Sequence, residues 1–303
     1  MSTATVHPYG LNNHMSRTVT QRLEQVLPYD RDGLAGAGLA REISLSPLTV
    51  LPCGPLEQID AAVAAGFQTV GLRLLPVMTT DVAIMEDPAL MRAIAERISQ
   101  TGLSVLDVEV VRVNPRLDVS EVLPVLDFAA ELGARWLAVT ADRSVDYRSA
   151  DEPALVRKLA ELADAANERG LGVMLEFMVF RGVATLEDAV RVVTAVDRPN
   201  MRICLDVLHL FRSGGDLQLL RRLDPSLLAC VQLNDAPASA PDDVQREARY
   251  DRLLPGRGEF PLRDLLDALP AEIPLAIEVP AESVDSPDKR ARDAMQAFAE
   301  LMQ

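Results

Sequence analysis

From Ile43 onward the chain repeats one pattern: a short run rich in Val, Ile and Leu, then a longer stretch with apolar residues at helical spacing. The short runs fall near 44–50, 69–74, 104–110, 135–140, 172–177, 201–206, 228–234 and 273–279. Their length and near-continuous apolarity predict strands buried on both faces, as in parallel sheets. The stretches between them predict helices over Leu56–Ala65, Pro88–Thr101, Val119–Leu132, Glu152–Arg169, Leu186–Ala195, Leu262–Leu269 and Pro287–Met302, with a short one over Gly215–Leu223. Gly66, Gly102, Gly133 and Gly170 stand where a helix should stop before the next strand, and glycine takes the left-handed closing conformation at least cost. Eight strands alternating with eight helices predict an α/β protein whose parallel sheet closes into a (β/α)8 TIM barrel over residues 43–303. A doubly wound open sheet is the alternative, disfavoured because no glycine-rich phosphate turn follows the first strand.

Residues 1–42 do not follow the pattern. They hold scattered polar residues and the glycine-rich Gly33-Leu-Ala-Gly-Ala-Gly38. They read as a partly ordered N-terminal extension with one short helix near Thr18–Leu27, and with His7 and His14 exposed to solvent.

Four of the predicted strands end in an oxygen donor: Gly172-Val-Met-Leu-Glu176, Arg202-Ile-Cys-Leu-Asp206, Cys230-Val-Gln232 and Ile273-Pro-Leu-Ala-Ile-Glu278. The separations of 30, 26 and 46 residues are each about one strand-helix-strand unit. On parallel neighbours these groups converge at the C-terminal edge of the sheet, where barrels of this kind carry their chemistry. Three carboxylates at close quarters do not all stay ionised without a cation, and a divalent metal is the simplest remedy. A strand-end carboxylate can also simply cap the next helix; four such residues in series favour a site. His209, in Asp206-Val-Leu-His209, is the lone histidine of the barrel region and follows a candidate ligand by three residues. Arg73 ends the second strand, Glu109 follows in the third, and Arg249 and Arg252 lie in the long connection after the seventh. These four are candidates for holding a substrate, with surface ion pairs as the alternative for the arginines and pairing with an arginine as that for Glu109.

Charge narrows the partners. The formal net charge is −15 and no run of Lys or Arg supplies a basic patch, so a nucleic-acid backbone is an unsuitable ligand. No apolar stretch reaches the roughly 18–20 residues of a membrane span, and the N-terminus lacks a basic segment followed by an apolar core. Cys53, Cys204 and Cys230 are odd in number and widely spaced, which reads as buried free thiols of a cytoplasmic protein. Neither composition nor pattern settles whether the chain forms a homo-oligomer.

Residues 43–303 resemble the xylose-isomerase-like TIM barrels, the sugar phosphate isomerase/epimerase group. The resemblance rests on Leu175-Glu-Phe177, Asp206-Val-Leu-His209, Val231-Gln-Leu-Asn-Asp235, Arg252-Leu-Leu-Pro-Gly-Arg-Gly-Glu259 and Ile277-Glu-Val-Pro280, in that order. It implies one divalent metal held by Glu176, Asp206, Gln232 and Glu278, with His209 and Arg249 facing a small sugar or polyol. Gln232 stands where the family usually has histidine; an amide oxygen is harder than an imidazole and favours Mg²⁺ or Mn²⁺ over Zn²⁺.

The chemistry expected of such parts is proton removal beside a polarised carbonyl, with Glu176 and Glu278 as acid and base. Returning the proton to another carbon isomerises, returning it to the other face epimerises, and expelling a β-hydroxyl dehydrates. Isomerisation or epimerisation is the first reading and a dehydratase or lyase the second. A metal-dependent endonuclease of the same superfamily fits poorly, because one histidine and an acidic surface oppose it. A non-catalytic partner subunit is the remaining alternative, and it predicts a filled pocket and no tight metal.

Overall fold

The computed structural model describes residues 41–142 and 151–303. The expectations for a helix near Thr18–Leu27 and for His7 and His14 lie outside the described residues. Eight strands, β1 (Ile43–Leu45), β2 (Thr69–Arg73), β3 (Ser104–Val113), β4 (Trp136–Ala141), β5 (Gly172–Glu176), β6 (Met201–Asp206), β7 (Leu228–Leu233) and β8 (Leu275–Ile277), run parallel and close on themselves in sequence order. β8 pairs back onto β1, with Ser44 opposite Ala276. Helices fill the gaps as the periodicity predicts, and Gly66 and Gly102 close two of them at φ 82° and 66°.

The differences from the sequence reading have local causes. β1 covers three residues rather than seven, because Pro47 opens a 3-10 turn over Pro47–Thr49. β3 runs to Val113, three residues further than predicted. Val119–Leu132 splits into a 3-10 turn and the helix Leu123–Glu131, with Pro124 at its start. Two short helices escaped the pattern. Val207–Arg212 follows β6 with no loop between, and Val244–Tyr250 lies in the connection after β7. The segment just before β1 is tied down: Arg41 donates to the carbonyls of Leu266, Leu269 and Pro270, and Glu42 pairs with Arg135.

The larger core lies between sheet and helices and includes Leu45, Leu72, Leu137, Leu159, Leu175 and Ile203. A smaller cluster, with Leu106, Ala138, Met174, Cys204, Cys230 and Ala276, fills the inside of the barrel. Met174, Cys204, Cys230 and Ala276 precede Glu176, Asp206, Gln232 and Glu278 by two residues, so the strand period puts each on the same face as its polar neighbour. An apolar, sulfur-rich layer thus lies directly beneath a polar one. The Cys204 and Cys230 sulfurs are 3.6 Å apart and both thiols are free and buried; Cys53 is only half-buried. Among the described residues, no helix is long and apolar enough to cross a membrane.

Candidate active site at the C-terminal mouth of the barrel

Glu176 and Asp206 are the last residues of β5 and β6, Gln232 sits opposite Asp206 in the register, and Glu278 follows β8 by one residue. All four are buried, at 6%, 0%, 3% and 3% exposure, so their charges meet little solvent screening. One oxygen each of Glu176 and Asp206 and one ring nitrogen of His209 lie within 4.8 Å of one another, a grouping able to hold a metal. Gln232 Nε2 donates to Glu278 Oε1 at 3.1 Å, while Gln232 Oε1 is buried with no hydrogen-bond partner. An unpartnered buried amide oxygen is costly unless something electropositive meets it.

Asp206 serves two roles. Its Oδ1 accepts from the backbone N–H of His209 at 3.1 Å and so caps Val207–Arg212, the reading that a lone strand-end carboxylate invites. Its Oδ2 meets Arg252 Nη1 at 2.5 Å, and the same nitrogen donates to Glu278 Oε2 at 3.1 Å. Arg252 is therefore not a surface loop cation: at 4% exposure it lies between two of the predicted ligands. The loop that brings it there is pinned by Asp235, whose carboxylate accepts from the backbone N–H groups of Ala236, Gly256, Gly258 and Phe260. A Cβ at Gly258 would stand 2.4 Å from both Asp235 Oδ1 and the Ala236 carbonyl, so this close approach requires glycine.

The other candidates divide. Arg73 and Glu109 face one another, with Arg73 Nε and Nη2 donating to Glu109 Oε1 at 2.8 and 2.6 Å and Nη1 reaching Asp81 at 3.3 Å. Both line the inner cavity, but each is committed to the other. Arg249 is half-buried on the helix Val244–Tyr250, and no ion pair or hydrogen bond of its side chain occurs among the described residues. Glu176, His209, Arg249, Arg252 and Glu278 line an inner cavity of about 80 Å³, whereas Asp206 and Gln232 do not line it. Arg249, Leu48 and Met78 also border an outer recess of about 670 Å³. Only the outer recess has the few-hundred-Å³ size of a small-molecule site, so the inner cavity suits the reacting end of a substrate.

Sequence reading missed Arg181, Phe180 and Asn234. Phe180 packs edge-on against the His209 ring at 5.2 Å, and Asn234 Nδ2 approaches Asp206 at 3.4 Å. Asn234 follows Gln232 by two residues on the same strand face, a signal present in the sequence. Glu109 and Val110 both line the cavity although they are consecutive. Strict alternation forbids this, and β3 shifts register against β4 between Val108 and Val111.

Burial, then repulsion from Glu278 and Asp206, pushes the Glu176 carboxyl well above its usual range. Glu278 is raised too, by burial first, with the Asp206 and Glu109 charges adding to it and Arg252 opposing. Asp206 goes the other way: burial raises it, but the Arg252 charge, with hydrogen bonds from Arg252 and the His209 backbone N–H, outweighs that and holds it low. Burial pushes His209 down to about 4, so its imidazole is neutral near pH 7. Two titratable carboxylates whose affinity for a proton is raised, beside one held ionised, is the arrangement that acid–base chemistry needs.

Asp107, buried below this layer, is raised to about 8 by burial and the Glu109 charge. A carboxyl raised on folding contributes most below its unfolded value of 3.8, and that contribution is lost as pH climbs toward 8. Asp107→Asn is therefore expected to be more stable than wild type at pH 8, by about 1–3 kcal/mol, with the advantage shrinking toward pH 5. Urea unfolding at the two pH values checks this; an equal difference at both would contradict it.

A family model described as xylose isomerase-like TIM barrel matches residues 59–301. A 3-dehydroshikimate dehydratase of Pseudomonas aeruginosa is 34% identical over 158 residues, which span 50% of this chain and 24% of that protein. An inosose isomerase of Bacillus subtilis is 30% identical over 113 residues, 37% of this chain and 40% of the relative. The aligned regions thus cover less than half the length of either curated relative. The solved IOLI protein with a bound zinc atom superposes with a TM-score of 0.73 at 18% identity, over 86% of this chain and 97% of that one. At that identity the likeness speaks for the fold alone.

Proposed function

The chain belongs to the xylose isomerase-like TIM barrel family, and we propose that it is a divalent-metal-dependent isomerase or epimerase of a sugar, keto-sugar or polyol. The observation that carries this reading is the pair Glu176 and Glu278, two carboxyls with raised proton affinity lining one cavity from β5 and β8. The donor set suits a metal. Fully ionised, Glu176, Asp206 and Glu278 would set three buried negative charges against the one positive charge of Arg252, an imbalance of two that a divalent ion would offset. Gln232 Oε1 adds a buried oxygen without a partner. Glu176, Asp206, Gln232 and Glu278 would hold the ion, and their oxygens favour Mn²⁺ or Mg²⁺. His209, whose Nε2 is 3.9 Å from Glu176 Oε1, is the nitrogen donor near enough to shift that preference toward zinc.

A bound divalent ion supplies Lewis-acid polarisation of a substrate carbonyl. The rest falls to the chain's own groups. Glu176 carries no hydrogen bond to another side chain among the described residues, so it is the less committed base and takes the proton at the carbon beside the carbonyl. Glu278, steadied by Gln232, exchanges a proton on the other side. Neutral His209 has an unpartnered Nδ1 and orients a substrate oxygen, and Arg249 faces the outer end of the same molecule. Phe180 and Met178 help to keep water from the inner cavity.

Dehydration is the second reading, favoured by the match to the Pseudomonas dehydratases over half of this chain. The same proton removal followed by loss of a β-hydroxyl would accomplish it. The test is metal analysis of purified protein, followed by incubation with ketoses, inososes, 3-keto-glycosides and 3-dehydroshikimate in deuterated water. Deuterium entering one of these substrates is the expected result, and the product distinguishes isomer, epimer and dehydration. A metal-loaded protein that neither exchanges nor converts any of them would overturn both readings.

A further inference from the structure

Arg252 occupies a place that the metal reading leaves unexplained. Its Nη1 touches Asp206 Oδ2 and Glu278 Oε2 together, its Nε donates to the Ala248 carbonyl at 2.9 Å, and its loop is fastened by Asp235. The remaining oxygens of these two carboxylates are also engaged. Asp206 Oδ1 caps a helix and Glu278 Oε1 accepts from Gln232. A cation held by both Asp206 and Glu278 would lie beside the guanidinium that bridges them, so charge rather than lost acceptor sites decides what moves. The cap belongs to backbone, and an amide can turn its oxygen inward, but the guanidinium is itself a cation and is repelled by another at the same oxygens. It is the group that yields. The inner cavity, which Arg252 lines, gives it room to move.

We propose that Arg252 and a divalent cation are alternative counter-ions of the Asp206–Glu278 pair, so that metal entry frees the Arg252 guanidinium for an oxygen of the substrate in the inner cavity. This rests on the reading that the carboxylates bind a metal. It orders the events: metal first, then a substrate whose oxygens or anionic group meet the released guanidinium. Arg252 on this account contacts the substrate and couples the two binding steps.

The test is calorimetric titration of chelator-treated full-length protein with Mn²⁺, for wild type, Arg252→Gln and Arg249→Gln. Arg252→Gln is expected to bind Mn²⁺ at least about tenfold tighter, because the competing charge is gone. Arg249→Gln removes a cavity charge that touches neither carboxylate, and should stay within about threefold of wild type. Without metal, Arg252→Gln should melt about 5–10 °C below wild type, since two buried carboxylates lose their counter-ion, and saturating Mn²⁺ should close that gap. Should Arg252→Gln not fold, Arg252→Lys, with the charge kept and the reach shortened, is expected to bind between the two. Equal or weaker binding by the Arg252 variants overturns the proposal, as does an equal gain in Arg249→Gln. Binding by none of the proteins overturns the metal reading and this inference with it, whereas failure of the inference alone leaves wild-type Mn²⁺ binding intact.

Discussion

Replacing Glu176 and Asp206 together by Ala is expected to lower metal affinity by more than about a hundredfold while the barrel remains folded. The two carboxylates end adjacent strands, are buried, and with His209 form the tightest metal-capable group among the described residues. Folding should survive because the variant also relieves strong repulsion. Glu176 is pushed well up by burial and by its neighbours' charges, and Arg252 keeps Glu278 as a partner. The loss is the Asp206 cap on Val207–Arg212, worth about 1 kcal/mol. Elemental analysis of purified protein gives the answer directly. One equivalent of manganese, magnesium or zinc in wild type should fall to near zero in the double variant, and full occupancy in the variant would show that the ligands lie elsewhere.

Glu278→Gln in metal-loaded protein is expected to cut solvent-deuterium exchange into substrate by about 10²–10⁴-fold, and Glu176→Gln by a similar factor. The amide keeps an oxygen for coordination, so a loss of rate at full metal occupancy isolates proton transfer. The two variants should differ in binding. Glu278 accepts from both Gln232 and Arg252, so its amide meets the Gln232 amide N–H and one of the two must turn. Glu176 carries no side-chain hydrogen bond among the described residues, with the His209 ring nitrogen at 3.9 Å. His209→Asn serves as the contrast, leaving exchange possible while weakening substrate binding. If wild-type exchange rates persisted in both glutamate variants, neither would be the base.

The eight-strand rhythm was legible in sequence because buried parallel strands are near-continuous apolar runs, and because glycines mark the helix ends between them. The same logic located Glu176, Asp206, Gln232 and Glu278, since a polar residue ending an apolar run must lie at a strand terminus and parallel strands bring like termini to one edge. Capping by a strand-end carboxylate was foreseen only in general form, because Val207–Arg212, the helix that Asp206 caps, escaped the periodicity.

Tertiary structure alone decided the rest. Arg252 lies 46 residues from Asp206 and 26 from Glu278, and its arrival between them depends on a loop folded around Asp235 that no periodicity describes. The partners of Arg73 came from the neighbouring strand and the Val77–Asp81 turn, which supply Glu109 and Asp81. The break in register of β3 turned Glu109 and Val110 to the same cavity. Strand and helix periods are properties of a few consecutive residues, and apolar burial makes them readable one segment at a time. Which charge neutralises which is a property of distances across the closed barrel, set only when burial strips away water and each carboxylate must find its cation among side chains far away in sequence.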